Sequence, residues 1–284
     1  MEGRWVEVAD RVLVRRYAEL DLSVGLVVGD GGCLVVDTRG DERQGAELLA
    51  EVRRITRAPW TVAITHSHFD HSFGTRPFLG CPVWAHEGCR TDLVENGGRA
   101  RDEWARHYRD RGRADIAGDI ARTEIALPDH LVTDRAELVV GGRPVVLAHL
   151  GRGHSGNDLV VHVPDAGVVF AGDLVENGAP PAYEDAYPLE WPATLAGLLD
   201  LLGDSDSDTG GIIGGDDIGG IGGVIVPGHG DPVDRAFAAA QHAEVAALAR
   251  LCERVAAGLL SPADAVRLSP YPEETTRTAL GRPC

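Results

Sequence analysis

The segment Thr65-His66-Ser67-His68-Phe69-Asp70-His71 packs three imidazoles and a carboxylate into six residues, directly after the apolar, β-branched run Thr61 to Thr65. A run of that kind reads as a strand, and histidines at i and i+2 of an extended chain point to the same side. The turn at Phe69 then carries Asp70 and His71 toward a second position beside the first. Neutral imidazole with carboxylate is the ligand mix of zinc, with iron and manganese as poorer alternatives. A polar loop that merely happens to be rich in histidine is the competing reading, and the rest of the chain weighs against it.

Three further candidates stand where an apolar strand gives way to a glycine-bearing turn. Val145-Val146-Leu147-Ala148 leads into Gly151-Arg152-Gly153-His154-Ser155-Gly156, Val168-Val169-Phe170-Ala171 into Gly172-Asp173, and Val224-Ile225-Val226 into Pro227-Gly228-His229-Gly230. Glycine permits tight turns and close approach to a ligand, and side chains gathered at the same ends of several strands form a cleft on a rigid sheet. The inventory of five histidines and two aspartates suffices for two metals, each with an open position.

In this order, His-x-His-x-Asp-His, a lone His, an Asp and a final His, the chain resembles the metallo-β-lactamase-fold hydrolases from about Asp10 to Asp231. The resemblance implies an αββα sandwich, two mixed sheets packed face to face and covered by helices. It also implies a dinuclear centre: His66, His68 and His154 hold one ion, Asp70, His71 and His229 the other, and Asp173 bridges them. Two zinc ions are expected, with iron or manganese as substitutes. A hydroxide held by both metals would attack a carbonyl, and Asp70 would orient it and take up its proton. True β-lactamases lack a bridging aspartate, so Asp173 looks more like the glyoxalase II, lactonase and thioesterase or esterase branches. The expected reaction is hydrolysis of an ester, thioester or lactone on a small acyl substrate. A β-lactam hydrolase is the alternative within the enzyme class, and a non-catalytic metal-binding or sensor protein the alternative outside it. The tyrosine that lactonases carry three residues after the bridge is absent; Glu176 stands there.

Composition narrows the partners. Lys+Arg 27 against Asp+Glu 44 gives −17, and phosphate recognition needs basic surface, so a nucleic-acid partner and the nuclease branches are disfavoured. Glu2, Arg4, Glu7, Asp10 and Arg11 interrupt the start of the chain, and no stretch has transmembrane length; a cytoplasmic protein without a membrane partner is expected. Five cysteines (Cys33, Cys81, Cys89, Cys252, Cys284) form no close pair, which argues against a disulfide framework. Cys33 and Cys252 sit in apolar runs and read as core. The length suits one domain over 1–284, and nothing in the pattern sets its oligomeric state.

Strands are expected at Val12 to Arg16, Ser23 to Val28 and Cys33 to Asp37, the last two joined by the turn Gly29-Asp30-Gly31-Gly32. Helical spacing covers Gln44 to Thr56, Leu189 to Leu202 and Arg235 to Leu260, and Ser261-Pro262 caps a further C-terminal helix within 235–284. Two regions exceed a minimal domain. Residues 87–123 read as a helical insertion in which Arg99, Arg101, Arg106, Arg109, Arg111 and Arg113 outnumber Asp102, Glu103 and Asp110. Trp104 and Tyr108, four apart, share a helix face and are candidates for contact with the substrate. Either this is a lid whose arginines meet an anionic substrate, or a solvated helix with an aromatic pair packed on the body, and charge runs usually face water. Residues 203–223, rich in Gly, Asp, Ser and Ile, read as a flexible surface loop far from the metals, since it feeds the opposite end of the strand that ends at His229. After the bridge, Tyr183, Glu184, Asp185, Tyr187 and Trp191 are candidates for the substrate pocket, although Pro180-Pro181 and Pro188 equally suit a rigid linker. Of the other histidines, His86 is the candidate for a group behind the ligands.

Overall fold

In a computed structural model that describes residues 3–203 and 223–282, the chain forms two sheets. The first contains β1 (Trp5–Ala9), β2 (Val12–Arg16), β3 (Ser23–Val28) and β4 (Cys33–Val36), followed after α1 (Glu42–Ile55) by β5 (Trp60–Ala63). The one-turn α2 (Phe69–Ser72), β6 (Val83–His86), the helices α3 (Glu87–Glu95), α4 (Gly97–Asp110) and α5 (Ala114–Arg122), and β7 (His130–Val132) complete this half. The second sheet holds β8 (Arg135–Val140), β9 (Arg143–Ala148), β10 (Val160–Val163) and β11 (Val168–Glu176), then α6 (Trp191–Leu201), β12 (Val224–His229) and β13 (Val233–Asp234). Three helices follow: α7 (Arg235–Ala256), α8 (Pro262–Leu268) and α9 (Glu273–Leu280). Strand order is β1 to β7 in sequence in one sheet and β13-β12-β11-β10-β9-β8 in the other. Pairing is antiparallel except from β4 through β7 and between β11 and β12. These are the two mixed, helix-covered sheets that the sequence implies.

The layering follows from alternation along strands that are buried on both faces. On β4 and β5, Leu34, Val36 and Ala63 join Val168, Phe170 and Val226 of the opposing sheet in a central core, while Cys33, Val35 and Val62 turn outward to pack under α1 and the insertion helices. On β11, Val168 and Phe170 face the centre and Val169 and Ala171 face the C-terminal helices. Four layers with three apolar seams result, and every strand end is held rigidly between them.

Local signals set the helix ends. Asp41 opens α1 by accepting the N–H of Gln44 at 2.7 Å, two residues before the predicted start. Ser261 caps α8 and Asp234 caps α7 in the same way. The strand expected from Cys33 to Asp37, β4, stops at Val36 because Asp37 adopts φ +64°, outside the extended region. The insertion at 87–123 comprises three helices. The glycine-rich stretch lies outside the described residues except at its ends, Gly203 and Gly223, and Gly223 precedes the end of β12 opposite His229. No helix among the described residues is long and apolar enough to cross a membrane.

Two of the pocket residues predicted after the bridge prove to be core. Trp191 and Tyr183 are 0% and 1% exposed, with ring centroids 5.0 Å apart, and the Trp191 indole N–H donates to the Leu174 carbonyl at 3.2 Å. They brace β11 from behind and leave no surface for a ligand. An aromatic segment flanked by prolines looks the same in sequence whichever way its rings face. Trp191→Ala should therefore cost about 3–5 kcal/mol of stability, as a buried large-to-small change does; a denaturant midpoint unchanged from wild type would contradict this placement.

Candidate metal centre

All the predicted metal-ligand side chains converge at one edge of the sandwich, where the C-terminal ends of β5, β11 and β12 meet the β9–β10 loop. His66 to His71 leave β5 and turn through α2, His154 comes from the loop, Asp173 from β11 and His229 from the last residue of β12. His66, His68, His154 and Asp173 each offer a ligand atom within 4.8 Å of one another. Asp70, His71 and His229 form a second group on the same criterion. One carboxylate stands between them: Asp173 Oδ2 is 3.4 Å from His154 Nε2 and 3.2 Å from His229 Nε2, while Oδ1 is 3.1 Å from His71 Nε2.

Backbone geometry makes room for that carboxylate. Gly172 sits at φ +53°, with a shift in the β11–β12 register on either side of it, and this re-aims the next side chain. A Cβ on Gly228 would fall 1.8 Å from Asp173 Oδ1, so only glycine fits there.

Three of the five imidazoles, His71, His229 and His68, are oriented from behind, a device that fixes the tautomer of a metal ligand. Asp37 Oδ2 lies 2.8 Å from His71 Nδ1 and also accepts the Thr65 hydroxyl at 2.8 Å, while Oδ1 accepts the Thr65 N–H at 2.7 Å. His229 Nδ1 donates to the Leu20 carbonyl at 2.7 Å. Asp185 Oδ2 sits 2.9 Å from His68 Nε2, which turns His68 Nδ1 toward His154 Nε2 at 2.9 Å. The loops that carry the two histidines are tied together by Asn157, which accepts the Ser67 N–H at 3.0 Å and donates to the Ser67 hydroxyl at 3.2 Å.

The electrostatics divide the cluster. Burial, reinforced by the His71 charge, holds His66 well below the ordinary imidazole range, and burial takes His154 down to about 4. Burial also opposes charge on His71 and His229, but the carboxylates prevail: Asp173, Asp70 and Asp37 hold His71 well above its usual range, and Asp173 leads in raising His229 to about 10. His68 rises to about 9 against burial through its pair with Asp185. Burial and the Asp173 charge push the Glu176 carboxyl well above the usual range. Acidic groups packed this way demand positive charge. His66 Nε2 and Asp173 Oδ1 are buried with no hydrogen-bond partner, and both face the cluster. Unpaired buried atoms of a neutral imidazole and a carboxylate, aimed at common points, fit divalent metal ions of the zinc, iron or manganese type.

The insertion helices reach this centre. Trp104 on α4 stacks on Phe69, the residue between His68 and Asp70, with centroids 4.2 Å apart; Tyr108 is buried beside it, 6.3 Å from Phe69. Arg99, Arg106, Arg109, Arg111 and Arg113 face solvent, and Arg113 pairs with Glu19. Of the other pocket candidates, Asp185 reaches His68 and Tyr187 packs on Gly156. His86 instead accepts the Gly88 N–H and stacks on His149 at 4.1 Å. Sequence reasoning missed Asp37 and the Leu20 carbonyl. An aspartate closing the strand next to the histidine strand was a usable signal for the first, whereas a backbone carbonyl leaves none.

Asp37→Asn should weaken metal affinity about 10- to 100-fold at the Asp70/His71/His229 position and leave the other nearly unchanged, because only His71 loses its orienting carboxylate. Stepwise metal titration of the variant measures this, and equal loss at both positions would mean that Asp37 supports the whole cluster.

Comparison with known proteins agrees with this geometry. A metallo-β-lactamase type 2 from Bacillus cereus is 23% identical over 218 residues, covering 75% of this chain and 69% of that protein. The metallo-β-lactamase from Pontibacter korlensis superposes with a TM-score of 0.64 at 18% identity, over 86% of this chain and 99% of that one. FIM-1 from Pseudomonas aeruginosa, in its mono-zinc form, gives 0.63 at 15%, over 88% and 97%. At such identities the structures establish a shared fold. The family model of the metallo-β-lactamase superfamily matches residues 19–233, a stretch that contains every side chain of the metal cluster, and the chain belongs to that superfamily.

Proposed function

We propose that the protein is a dinuclear metal hydrolase that cleaves an uncharged ester, thioester or lactone. Asp173 carries this reading: a single carboxylate within 3.4 Å of histidines from both groups is placed to serve two ions at once. His66, His68 and His154 would hold one ion, and Asp70, His71 and His229 the other. When bound, such ions polarise a carbonyl and lower the pKa of water to about 7.

The chain's own groups do the rest. Asp70, whose Oδ2 faces His229 Nε2 at 3.4 Å and His71 Nε2 at 3.8 Å, orients the attacking water and takes up its proton. The proton passes to the departing alkoxide or thiolate, so water and acyl compound give an acid and an alcohol or thiol. The stack of Trp104 on Phe69 keeps α2, and with it Asp70, in place.

Charge favours this substrate class. Asp70, Asp173 and Glu176 stand together, no arginine among the described residues forms an ion pair with any of them, and the chain has no lysine. The ring carboxylate of a penicillin or carbapenem would meet these three carboxylates with no arginine paired to them. The names of the curated and structural relatives favour the second reading, β-lactam hydrolysis.

A panel of neutral esters, thioesters, lactones and β-lactams, assayed on protein loaded with zinc and separately with manganese, decides between them. The acyl esters should exceed the β-lactams in kcat/KM by about 100-fold, about 2.7 kcal/mol. Equal or better turnover of a penicillin or carbapenem would reverse the assignment, and a fully loaded protein inert to every substrate would favour the sensor reading. Asp70→Asn should fold normally and lose at least about 100-fold in kcat, the scale of a positioned acid/base group; near-normal turnover would remove Asp70 from the chemistry.

A further inference from the structure

Glu176 is a buried carboxylate that the hydrolytic reading leaves unused. It ends β11 three residues after Asp173 and pairs in register with His229 on β12. Carboxylate oxygens of Asp173 and Glu176 and a ring nitrogen of His229 lie within 4.8 Å of one another, a third group that shares members with both of the others. The strand end is pinned: Gln241 on α7 accepts the Glu176 N–H at 3.1 Å and donates to the Leu174 carbonyl at 3.1 Å. Glu176 is only 7% exposed, yet among the described residues its carboxylate accepts no hydrogen bond and forms no ion pair. Beside it, Asp173 Oδ1 is buried with its one charged neighbour the ring of His71, Nε2 at 3.1 Å, itself a member of the second metal position. Carboxylates buried without partners are costly unless a cation joins them.

We propose that Glu176 is an additional oxygen donor of the second metal position, beside Asp70, Asp173, His71 and His229, and that it shifts this position's selectivity from zinc toward manganese or ferrous iron. Donor count and donor type both argue for this. Five protein donors exceed the four-coordinate, tetrahedral preference of zinc, and three of the five are carboxylates, which suit ions that accept octahedral oxygen coordination. The other position, with three imidazoles and the shared Asp173, keeps a zinc-type set. The two positions would then hold different ions.

The test uses metal ions alone, so its result does not depend on the hydrolytic reading. Full-length protein stripped by chelator and reloaded with one equivalent of zinc is titrated with manganese(II), followed by electron paramagnetic resonance, and in parallel with further zinc, followed by calorimetry. Glu176→Gln should lower manganese affinity at least about tenfold more than it lowers zinc affinity at the same position, the scale of losing a metal-supporting group. Glu176→Asp, which keeps the carboxylate, should recover part of the loss. Unchanged manganese affinity in Glu176→Gln would overturn the proposal, as would equal loss of manganese and zinc. Collapse of both positions in Glu176→Asp as well as Glu176→Gln would assign the residue to packing and overturn it too.

Discussion

The arrangement of this protein turns on one buried carboxylate. Asp173 is 5% exposed and lies among four imidazoles, with the ordinary penalty of a buried charge offset chiefly by the charge on His229 and His71. Burial alone would raise its pKa, but His229, His71, His66 and His154 hold it well below the usual range. Asp173 thus stays ionised and belongs to both histidine groups. Without it the cluster would divide into two unrelated sets, one of three imidazoles and one of two imidazoles with Asp70.

Holding that carboxylate constrains the backbone around it. Gly172 must adopt φ +53°, and Gly228 must lack a side chain because a Cβ would overlap Asp173 Oδ1. The β11–β12 pair is parallel, which brings Asp173 and His229 to the same end. In the other sheet β4 and β5 are also parallel, which brings Asp37 beside Thr65 and the start of the histidine segment. Asp37 and Arg39 both take left-handed φ in a short turn that leads back to α1. A non-glycine residue held in that region is strained, and three hydrogen-bond contacts of the Asp37 carboxylate, two to Thr65 and one to His71, hold it there.

Much of this was legible from sequence because the signals are local. Runs such as Val145 to Ala148 and Val168 to Ala171 read as apolar strands, and they are strands, buried on both faces. The i, i+2 spacing put His66 and His68 on one side, and both point into the cluster. Spacing could not say that His68 faces His154 while His71 faces His229, since those partners lie 86 and 158 residues away; only the resemblance supplied the pairing. The segment from Tyr183 to Trp191 failed for a related reason. Its prolines give no periodicity from which a buried face could be read, so Trp191, which packs against the His154 ring at 5.9 Å, and Asp185, which touches His68, looked alike as pocket candidates.

The same contrast explains why substrate chemistry is harder to read than metal chemistry. Metal ligands must converge within a few ångströms, so burial and orphaned atoms such as His66 Nε2 expose them directly. The walls of an acyl site need only shape and charge. Here the charge is the more informative of the two: Asp70, Asp173 and Glu176 gather around His71 and His229, and the neighbouring cations are those imidazoles themselves. The arginines of α4 could have supplied an anion site, but they lie on the outer face of that helix, while its inner face, Trp104 and Tyr108, is taken up in packing on Phe69. A helix has one face per direction, and this one uses its inner face to fix the position of Asp70. The protein's contribution at this edge of the cleft is therefore rigidity and negative charge.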